Sequence, residues 1–181
     1  MCNHKWTAVL ETERGAAVLN DCKYGVDVDG GSINLTLLRS PLAPDMTADR
    51  GRQEFTYAFY TWSGSFAASD VIRQAYALNA PVHVLAGASG EASLFATDAA
   101  NVVLETVKPA EDGSRDVILR LYEAKRTATR CTLTTALPVK AAWATDMLED
   151  GGKPVKISGG AMTLDFRPFE IKTLRLQMRN R

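Results

Sequence analysis

The sequence predicts a mainly β protein with one short helix. Most of its 181 residues fall into short runs rich in β-branched and aromatic side chains, and turn residues separate these runs. Only residues 66–79 carry apolar side chains at helical spacing, and Pro81 lies just beyond them. A small, flexible stretch at 86–93 follows, so we expect a domain boundary near residue 88.

The part before this boundary contains four predicted strands, at 15–20, 23–28, 32–39 and 53–62. The Asp29-Gly30-Gly31 sequence predicts a hairpin between the second and third, because glycine tolerates the positive φ of such turns. Both faces of the 53–62 run carry apolar bulk, which favours an interior strand covered on both sides. Four strands and one helix are few for an independent sandwich. We therefore expect either that the second domain covers them or that the chain is the tail of a longer protein.

The part after the boundary predicts a small antiparallel β-sandwich of immunoglobulin-like size. Glu111-Asp112-Gly113 and Asp150-Gly151-Gly152 supply turn signals between the strands. The last strand changes phase between Ile171 and Leu174, so we expect a one-residue bulge near Lys172-Thr173. The seven predicted strands lie at 93–96, 101–107, 116–122, 127–136, 140–147, 162–166 and 168–178.

Charge and hydropathy exclude several classes of function. Lys and Arg number 21 and Asp and Glu also number 21, whereas nucleic-acid binding requires an excess of clustered cations. No apolar run reaches the roughly 18 residues of a membrane span, and no signal peptide opens the sequence. We expect a soluble chain that binds neither nucleic acid nor membrane.

Cysteine and histidine spacing gives no metal or catalytic site. Cys2, Cys22 and Cys131 form no CxxC pair, which fits free thiols in a reducing cytoplasm. We expect Cys22 and Cys131 in the core, or close to it. His4 and His83 have no ligand spacing, and His83 is interpreted as a hydrogen-bonded strand residue. No nucleophile elbow, P-loop or dinucleotide fingerprint occurs, so no catalytic or metal residue is assigned.

Two polar segments are candidates for binding. Asn20, Asp21 and Lys23 interrupt an apolar strand just before Gly25, either as a self-capped turn or as the rim of a cleft. The loop 40–53 is either a solvated loop joined by ion pairs or a sugar-contacting loop near Tyr60 and Trp62. Its charged residues, with those that flank it, are Arg39, Asp45, Asp49, Arg50, Arg52 and Glu54.

Ordered motifs along nearly the whole chain resemble the C-terminal region of α-mannosidases of glycoside hydrolase family 38, most closely the bacterial and cytosolic branch. The long motifs of the first half are AVLNDCKYG at 17–25, LTLLRSP at 35–41 and EFTYA at 54–58, with shorter matches at 44–45, 48–51 and 77–81. Those of the second half are NVVLETVK at 101–108, LRLYEA at 119–124 and RPFEI at 167–171.

The resemblance implies that residues 1–87 are the end of a galactose mutarotase-like β supersandwich and that 88–181 are the terminal β-sandwich. The parent enzyme would be a retaining, zinc-dependent α-mannosidase acting on mannose-containing oligosaccharides. Its zinc ligands and nucleophile belong to N-terminal domains without counterpart here, so this chain is expected to hold no metal and to be inactive alone. By motif match, the residues expected at the rim of the sugar site are Asn20, Asp21, Lys23 and Tyr24, followed by Arg39, Asp45, Asp49 and Arg50.

The sequence departs from the family pattern at three places. Gln53 stands where the family commonly has histidine before the EFTYA strand, and Thr61-Trp62 replaces a Pro-His pair after it. The Glu123-Ala124-Lys125 segment replaces the commoner Glu-Ala-His-Gly. No role of those family histidines is transferred to this chain.

Other interpretations remain open at this point. The chain could be a free-standing carbohydrate-binding or protein-interaction module that uses Trp6, Trp62 or Trp143. A small independent hydrolase is a weaker alternative, because no catalytic site is readable. Exposed strand edges and apolar faces would also favour a homo-oligomer or a domain-swapped assembly of the isolated chain.

Overall fold

Antiparallel β-strands dominate the computed structural model, which describes residues 1–87 and 90–179. The chain divides into two compact units, residues 1–86 and 87–181, which we call the N-terminal unit and the C-terminal unit. The predicted mainly β class with one short helix is confirmed. The linker expected over 86–93 includes residues 88 and 89, which lie outside the described residues. None of the described helices is long and apolar enough to cross a membrane.

The N-terminal unit contains a three-stranded sheet, a separate hairpin and one helix. The sheet has the order β1-β2-β5, and β3 pairs with β4. The predicted hairpin is present, since Asp29 faces Ser32 across the turn and Gly30 has a φ of 54°. Its elements are β1 (Trp6–Leu10), β2 (Arg14–Asn20), β3 (Val26–Asp29), β4 (Ser32–Leu35), β5 (Tyr57–Ser63), a 3-10 turn (Phe66–Ala68) and α1 (Val71–Asn79).

Helix α1 covers one face of this sheet. Its buried residues Val71, Ile72 and Ala75 recur at helical spacing, and the helix packs over β2 and β1. Ala17 and Leu19 of β2 are buried on the sheet. The helix begins five residues later than the pattern predicts, because Phe66–Ala68 forms a 3-10 turn that Ser69 ends with a hydroxyl bond back to the Phe66 carbonyl.

The prediction that residues 53–62 form an interior strand is wrong for this chain. β5 pairs with β2 alone and lies at the edge of its sheet. Tyr57 and Phe59 are 59% and 74% exposed, whereas Tyr60 and Trp62 on the other face are partly buried. Only the second face is covered, with Trp62 packed against Phe66 of the 3-10 turn.

The C-terminal unit is a sandwich of two antiparallel sheets, as predicted. One sheet has the order β11-β10-β13-β8-β7 and the other β12-β9-β6. Leu121 and Leu174 from the first sheet and Leu133 and Phe166 from the second meet in one buried core. The strands are β6 (Phe95–Thr97), β7 (Val102–Pro109), β8 (Val117–Glu123), β9 (Thr129–Thr135), β10 (Val139–Thr145), β11 (Lys153–Val155), β12 (Ala161–Phe166) and β13 (Ile171–Met178).

Two details of the C-terminal unit differ from expectation. The short edge strand β11 has Pro154 at its centre and was not predicted, since proline fits only edge strands and leaves little strand signal. The bulge expected at Lys172-Thr173 is absent, because β13 pairs with β8 in unbroken register from Ile171 to Leu176. Ile171 is simply exposed on the face opposite the core. Register shifts occur instead at Leu104/Thr106 and at Val139/Ala141.

Two single-residue predictions are also corrected. Cys22 is exposed, because it lies in a turn beyond the end of β2, and only Cys131 is buried as expected. His83 lies in an exposed segment after α1 that forms no strand, since the run after Pro81 has no pairing partner among the described residues.

Candidate functional site

The motif residues Asn20, Asp21, Lys23 and Tyr24 lie together in a turn that follows β2, which we call the 20–24 turn. Asn20 is the last residue of β2 and is 2% exposed. Its side-chain Oδ1 accepts a hydrogen bond from the Lys23 backbone N–H at 2.7 Å. This bond closes the turn locally, which is the self-capping arrangement typical of asparagine.

Asp21 ties the turn to the residue that precedes β5. Its Oδ2 accepts the Thr56 N–H at 2.9 Å, and its own N–H donates to the Thr56 carbonyl at 3.2 Å. Hydrogen bonds from the Cys22 thiol and then from the Thr56 N–H lower the pKa of Asp21. The same thiol–carboxylate bond raises the pKa of Cys22. Asp21 is therefore an ionised, acceptor-only group whose oxygens are partly used within the fold.

Lys23, which is half-buried, and Tyr24, which is exposed, add an ammonium and a phenol to the turn. The Lys23 ammonium lies 4.7 Å from the centre of the Phe55 ring. The Tyr24 ring is 53% exposed and stacks on His4 with 5.8 Å between ring centres and 14° between planes. A cation and a phenol hydroxyl, each resting on an aromatic ring, are donors that can reach the hydroxyl oxygens of a polyol.

The second group of candidates lies in the 39–50 loop, where the two carboxylates shape the backbone. Asp49 Oδ2 accepts the N–H groups of Arg39 and Ser40 at 2.9 and 2.6 Å. Asp45 Oδ1 accepts the hydroxyl and the N–H of Thr47, and these two bonds lower its pKa. Arg39 and Arg50 are exposed. The two carboxylates thus fix the backbone of the loop, and the two exposed guanidinium groups are the hydrogen-bond donors that a ligand could contact.

The structure brings four of the eight predicted residues into one turn and leaves the other four in a separate loop. Within the described residues, no hydrogen bond or ion pair joins the 20–24 turn to the 39–50 loop. Chemical reasoning missed four residues that contact the turn: Asn3, His4, Phe55 and Asn79. Phe55 and Asn79 lie within motifs that resemble the family, and this could have identified them. Asn3 and His4 lie in no such motif.

The described residues do not fit a metal site. Nowhere in residues 1–87 and 90–179 do three His, Cys, Asp or Glu side chains group as ligands would require. A surface cavity of about 760 Å³ is lined by residues such as Glu11, Arg14 and Trp62 and by none of the eight candidates. This cavity and the candidate residues therefore lie at different places on the N-terminal unit.

Comparison with known proteins assigns both halves of the chain to the same family. Residues 1–47 match the profile of the glycosyl hydrolases family 38 C-terminal domain. Residues 101–174 match the glycosyl hydrolases family 38 C-terminal beta sandwich domain. Together the matched ranges make up well over half of the sequence.

Curated relatives are α-mannosidases. Alpha-mannosidase 2C1 of Mus musculus is 42% identical and that of Homo sapiens 43% identical, over 98% and 96% of this chain. Alpha-mannosidase G of Dictyostelium discoideum is 36% identical over 95% of the chain. The chain spans only 17–18% of the length of these relatives.

A solved structure shares the fold. The crystal structure of an α-mannosidase from Enterococcus faecalis V583 superposes with a TM-score of 0.74 over 98% of this chain, at 20% identity, and the match covers 21% of that protein. Similarity at this identity supports the fold alone. Taken with the two profile matches, these findings show that the chain belongs to glycoside hydrolase family 38 and corresponds to its C-terminal β domains.

Proposed function

We propose that this chain forms the C-terminal β domains of an α-mannosidase that hydrolyses α-mannosidic bonds of oligosaccharides by a retaining, zinc-dependent mechanism. The chain itself is non-catalytic, supports a catalytic domain on the same polypeptide, and lends the 20–24 turn to the rim of the sugar site. In this proposal, residues 1–87 are the end of the supersandwich and 88–181 the terminal sandwich. The observation that carries the proposal is the similarity of nearly the whole chain to α-mannosidases.

The 20–24 turn has the properties required of a sugar-site rim. Hydrogen bonds to the Asn20 and Asp21 side chains fix its backbone, while the side chain of Lys23 is half-buried and that of Tyr24 is exposed. Hydrogen-bond donors on a backbone that is already ordered before binding lose little conformational entropy when a ligand binds. Arg39 and Arg50 of the 39–50 loop are proposed as weaker contacts, because nothing in the described residues holds their guanidinium groups in place.

Zinc is proposed for residues outside this chain. Among the described residues, no three His, Cys, Asp or Glu side chains are grouped so that they could hold the ion. The three unpaired thiols Cys2, Cys22 and Cys131 support a cytoplasmic setting for the protein, where thiols stay reduced.

The apolar edge of the N-terminal unit supports the proposed partner. Tyr57 and Phe59 on β5 are exposed beside free strand edges, which proteins usually cover. We propose that preceding domains of the same polypeptide cover them and that the isolated chain instead forms a homo-oligomer. Light scattering at high concentration checks the second statement, and a monomer would contradict it.

The alternative of a free-standing carbohydrate-binding module receives less support. Its three candidate tryptophans are partly buried, and Trp62 lies so close to Gly15 that a Cβ there would overlap the indole ring. Trp62 also stacks on Tyr60, and Trp6 packs on Phe66. These contacts are typical of packing and not of an open sugar platform.

The experiment that tests the proposal is Lys23→Ala in the complete enzyme, assayed on an α-mannoside. Loss of a charged hydrogen bond to substrate is expected to raise KM about tenfold or to lower kcat, at unchanged thermal stability. Lys156→Ala is the matched control, since Lys156 is an exposed lysine of the C-terminal unit. Equal kinetics of the two variants would refute the rim assignment.

A further inference from the structure

Three asparagines connect the 20–24 turn to two other parts of the N-terminal unit. Asn20 lies in the turn, Asn3 in the segment that precedes β1, and Asn79 at the end of α1. Asn3 and Asn20 are buried and Asn79 is half-buried. We call these three residues the asparagine bridge.

The bridge joins helix and turn through one amide group. Asn79 Nδ2 donates to the Asn20 carbonyl at 3.0 Å and to the Ala75 carbonyl at 2.8 Å. An amide nitrogen has two hydrogens, so both are used. The end of α1 and the start of the turn are therefore held at a fixed separation by a single side chain.

The opposite side of the turn is held by the N-terminal segment. Asn20 Nδ2 donates to Asn3 Oδ1 at 3.1 Å, and the Asn3 N–H donates to the Tyr24 carbonyl at 2.8 Å. The Lys5 carbonyl accepts the Asn20 N–H at 2.9 Å, while the Lys5 ammonium lies 4.6 Å from the ring centre of Tyr76 on α1. The N-terminal segment, the 20–24 turn and helix α1 are thus joined in one network of contacts.

The bridge contacts the main chain of Lys23 and Tyr24, the two residues of the turn that carry an ammonium and a phenol. Lys23 is bonded through its N–H by Asn20, and Tyr24 through its carbonyl by Asn3. Neither bond uses the ammonium or the phenol. The arrangement therefore restrains the backbone from which the two side chains extend, and it leaves the ammonium and the phenol able to hydrogen-bond elsewhere.

We propose that Asn79 and Asn3 are positioning residues for mannoside binding, acting through Asn20 on Lys23 and Tyr24. This inference rests on the proposed function, because it assigns a purpose to the rigidity of the rim. Without these hydrogen bonds, the turn samples other conformations. Ordering it on binding then costs conformational entropy, which weakens the apparent affinity for the mannoside. Since the turn contacts substrate without taking part in bond cleavage, the loss falls on KM.

The test is Asn79→Ala in the complete enzyme. KM for an α-mannoside is expected to rise about three- to tenfold, which corresponds to one hydrogen bond, while kcat stays within about twofold. Hydrogen exchange of the Lys23 amide is expected to accelerate together with KM. Unchanged KM would overturn the proposal.

A matched control separates positioning from general destabilisation. Asn101 in the C-terminal unit also uses one amide for two bonds, to Glu123 Oε1 and to Thr129 Oγ1. Asn101→Ala is expected to lower stability and to leave KM unchanged. If Asn101→Ala raises KM as much as Asn79→Ala, the effect is nonspecific and the proposal is wrong.

A pair of substitutions at Asn3 provides a second test should Asn79→Ala not fold. Asn3→Asp retains an acceptor for Asn20 Nδ2, whereas Asn3→Ala removes it. We expect Asn3→Ala to raise KM and Asn3→Asp to restore most of the loss, and equal KM values for the two variants would overturn the proposal.

The proposed function fails separately from this inference. If Lys23→Ala leaves the kinetics unchanged, the rim assignment itself is wrong and the inference fails with it. If Lys23→Ala raises KM and Asn79→Ala does not, the rim stands and only the positioning role is refuted.

Discussion

The two units of the chain are stabilised in different ways. In the C-terminal unit, large apolar side chains such as Leu121, Leu133 and Leu174 are fully buried between two sheets. In the N-terminal unit, the fully buried apolar residues are Ala17, Val71 and Ala75, which are small or medium in size, and the polar residue Asn20 is buried with them. Asn20 is hydrogen-bonded to Asn3, Lys23 and Asn79, whereas the large apolar side chain of Phe59 is exposed.

The difference lies in the kind of interaction that specifies each unit. A closed sandwich with a continuous apolar core can be stable by itself, because burial of large side chains is the main source of stability. A single sheet with one covered face and an asparagine bridge is specified by directional bonds, which add less stability but fix geometry. The hydrogen bonds of the asparagine bridge lie at the 20–24 turn, which contains four of the candidate rim residues.

The largest expected effect is a cavity in the C-terminal core. Leu121→Ala is expected to lower the free energy of unfolding of that unit by about 3 to 4 kcal/mol, from lost burial and an unfilled cavity. Hydrogen exchange resolved by residue measures each unit separately. Val107→Ala on the neighbouring strand, where the side chain is half exposed, should cost far less. Equal costs would contradict the contrast drawn between core and surface.

The next effect concerns a buried carboxylate in the same unit. Glu123 is fully buried and accepts the Asn101 amide and the N–H groups of Lys125 and Phe169. Burial raises its pKa, but the hydrogen bonds, first that from Phe169, outweigh it, so the pKa is lowered.

Glu123→Gln turns one acceptor into a donor that faces other donors, and we expect a loss of about 2 kcal/mol in chemical denaturation. An unchanged midpoint would show that the carboxylate is dispensable.

Asn20→Ala is expected to cost about 1 to 2 kcal/mol in the N-terminal unit, since it leaves the Lys23 N–H and Asn3 Oδ1 without their partner. Faster hydrogen exchange should be confined to residues near the turn. Asn34→Ala is the control, because Asn34 is exposed on β4. Uniform acceleration across the whole unit would contradict a local role.

A smaller effect is a pH dependence at the surface of the C-terminal unit. Arg175 contacts Asp112 at 2.6 Å and, with Ser114, lowers the pKa of Asp112 to about 2 from its ordinary value of 3.8. A folded-state pKa below the unfolded one gives stability that is fully present above about pH 4 and is lost as pH falls towards 2. Asp112→Asn should therefore flatten the pH profile of unfolding in that window, and an unaltered profile would count against the pairing.

The smallest effect is expected at the exposed strand β5. In the isolated chain, at a dilution where it is monomeric, Phe59→Ser should change the stability by less than about 0.5 kcal/mol, because a largely exposed side chain loses little burial. In the complete enzyme the same substitution should cost several times more if preceding domains cover this face. Equal small costs in both proteins would refute the proposed cover.

Much of the fold could be predicted from sequence because its elements obey local rules. The Asp29-Gly30-Gly31 hairpin and seven of the eight described strands of the C-terminal sandwich follow from turn residues and apolar alternation. Predictions failed where pairing decides the outcome. Apolar residues on both faces of β5 indicate burial, yet pairing partners are not visible in a local pattern.

The candidate site was predictable only in part. Motif similarity indicated Asn20, Asp21, Lys23 and Tyr24, and these residues do share one turn. Their supports Asn3 and His4 were not predictable, because an isolated polar residue near a terminus has no periodicity or spacing that marks it. Asp45 and Asp49 were also predicted at the rim, and the sequence did not indicate that each would accept backbone N–H groups within its own loop.

The most direct test of the account is hydrolysis of a chromogenic α-mannoside by this chain alone, with zinc or cobalt and with a chelator. The complete enzyme serves as the positive control, and circular dichroism establishes that the isolated chain is folded. We expect no turnover by the chain under any condition and metal-dependent turnover by the complete enzyme. Turnover by the chain that the chelator abolishes would place the catalytic centre within these 181 residues and contradict the account.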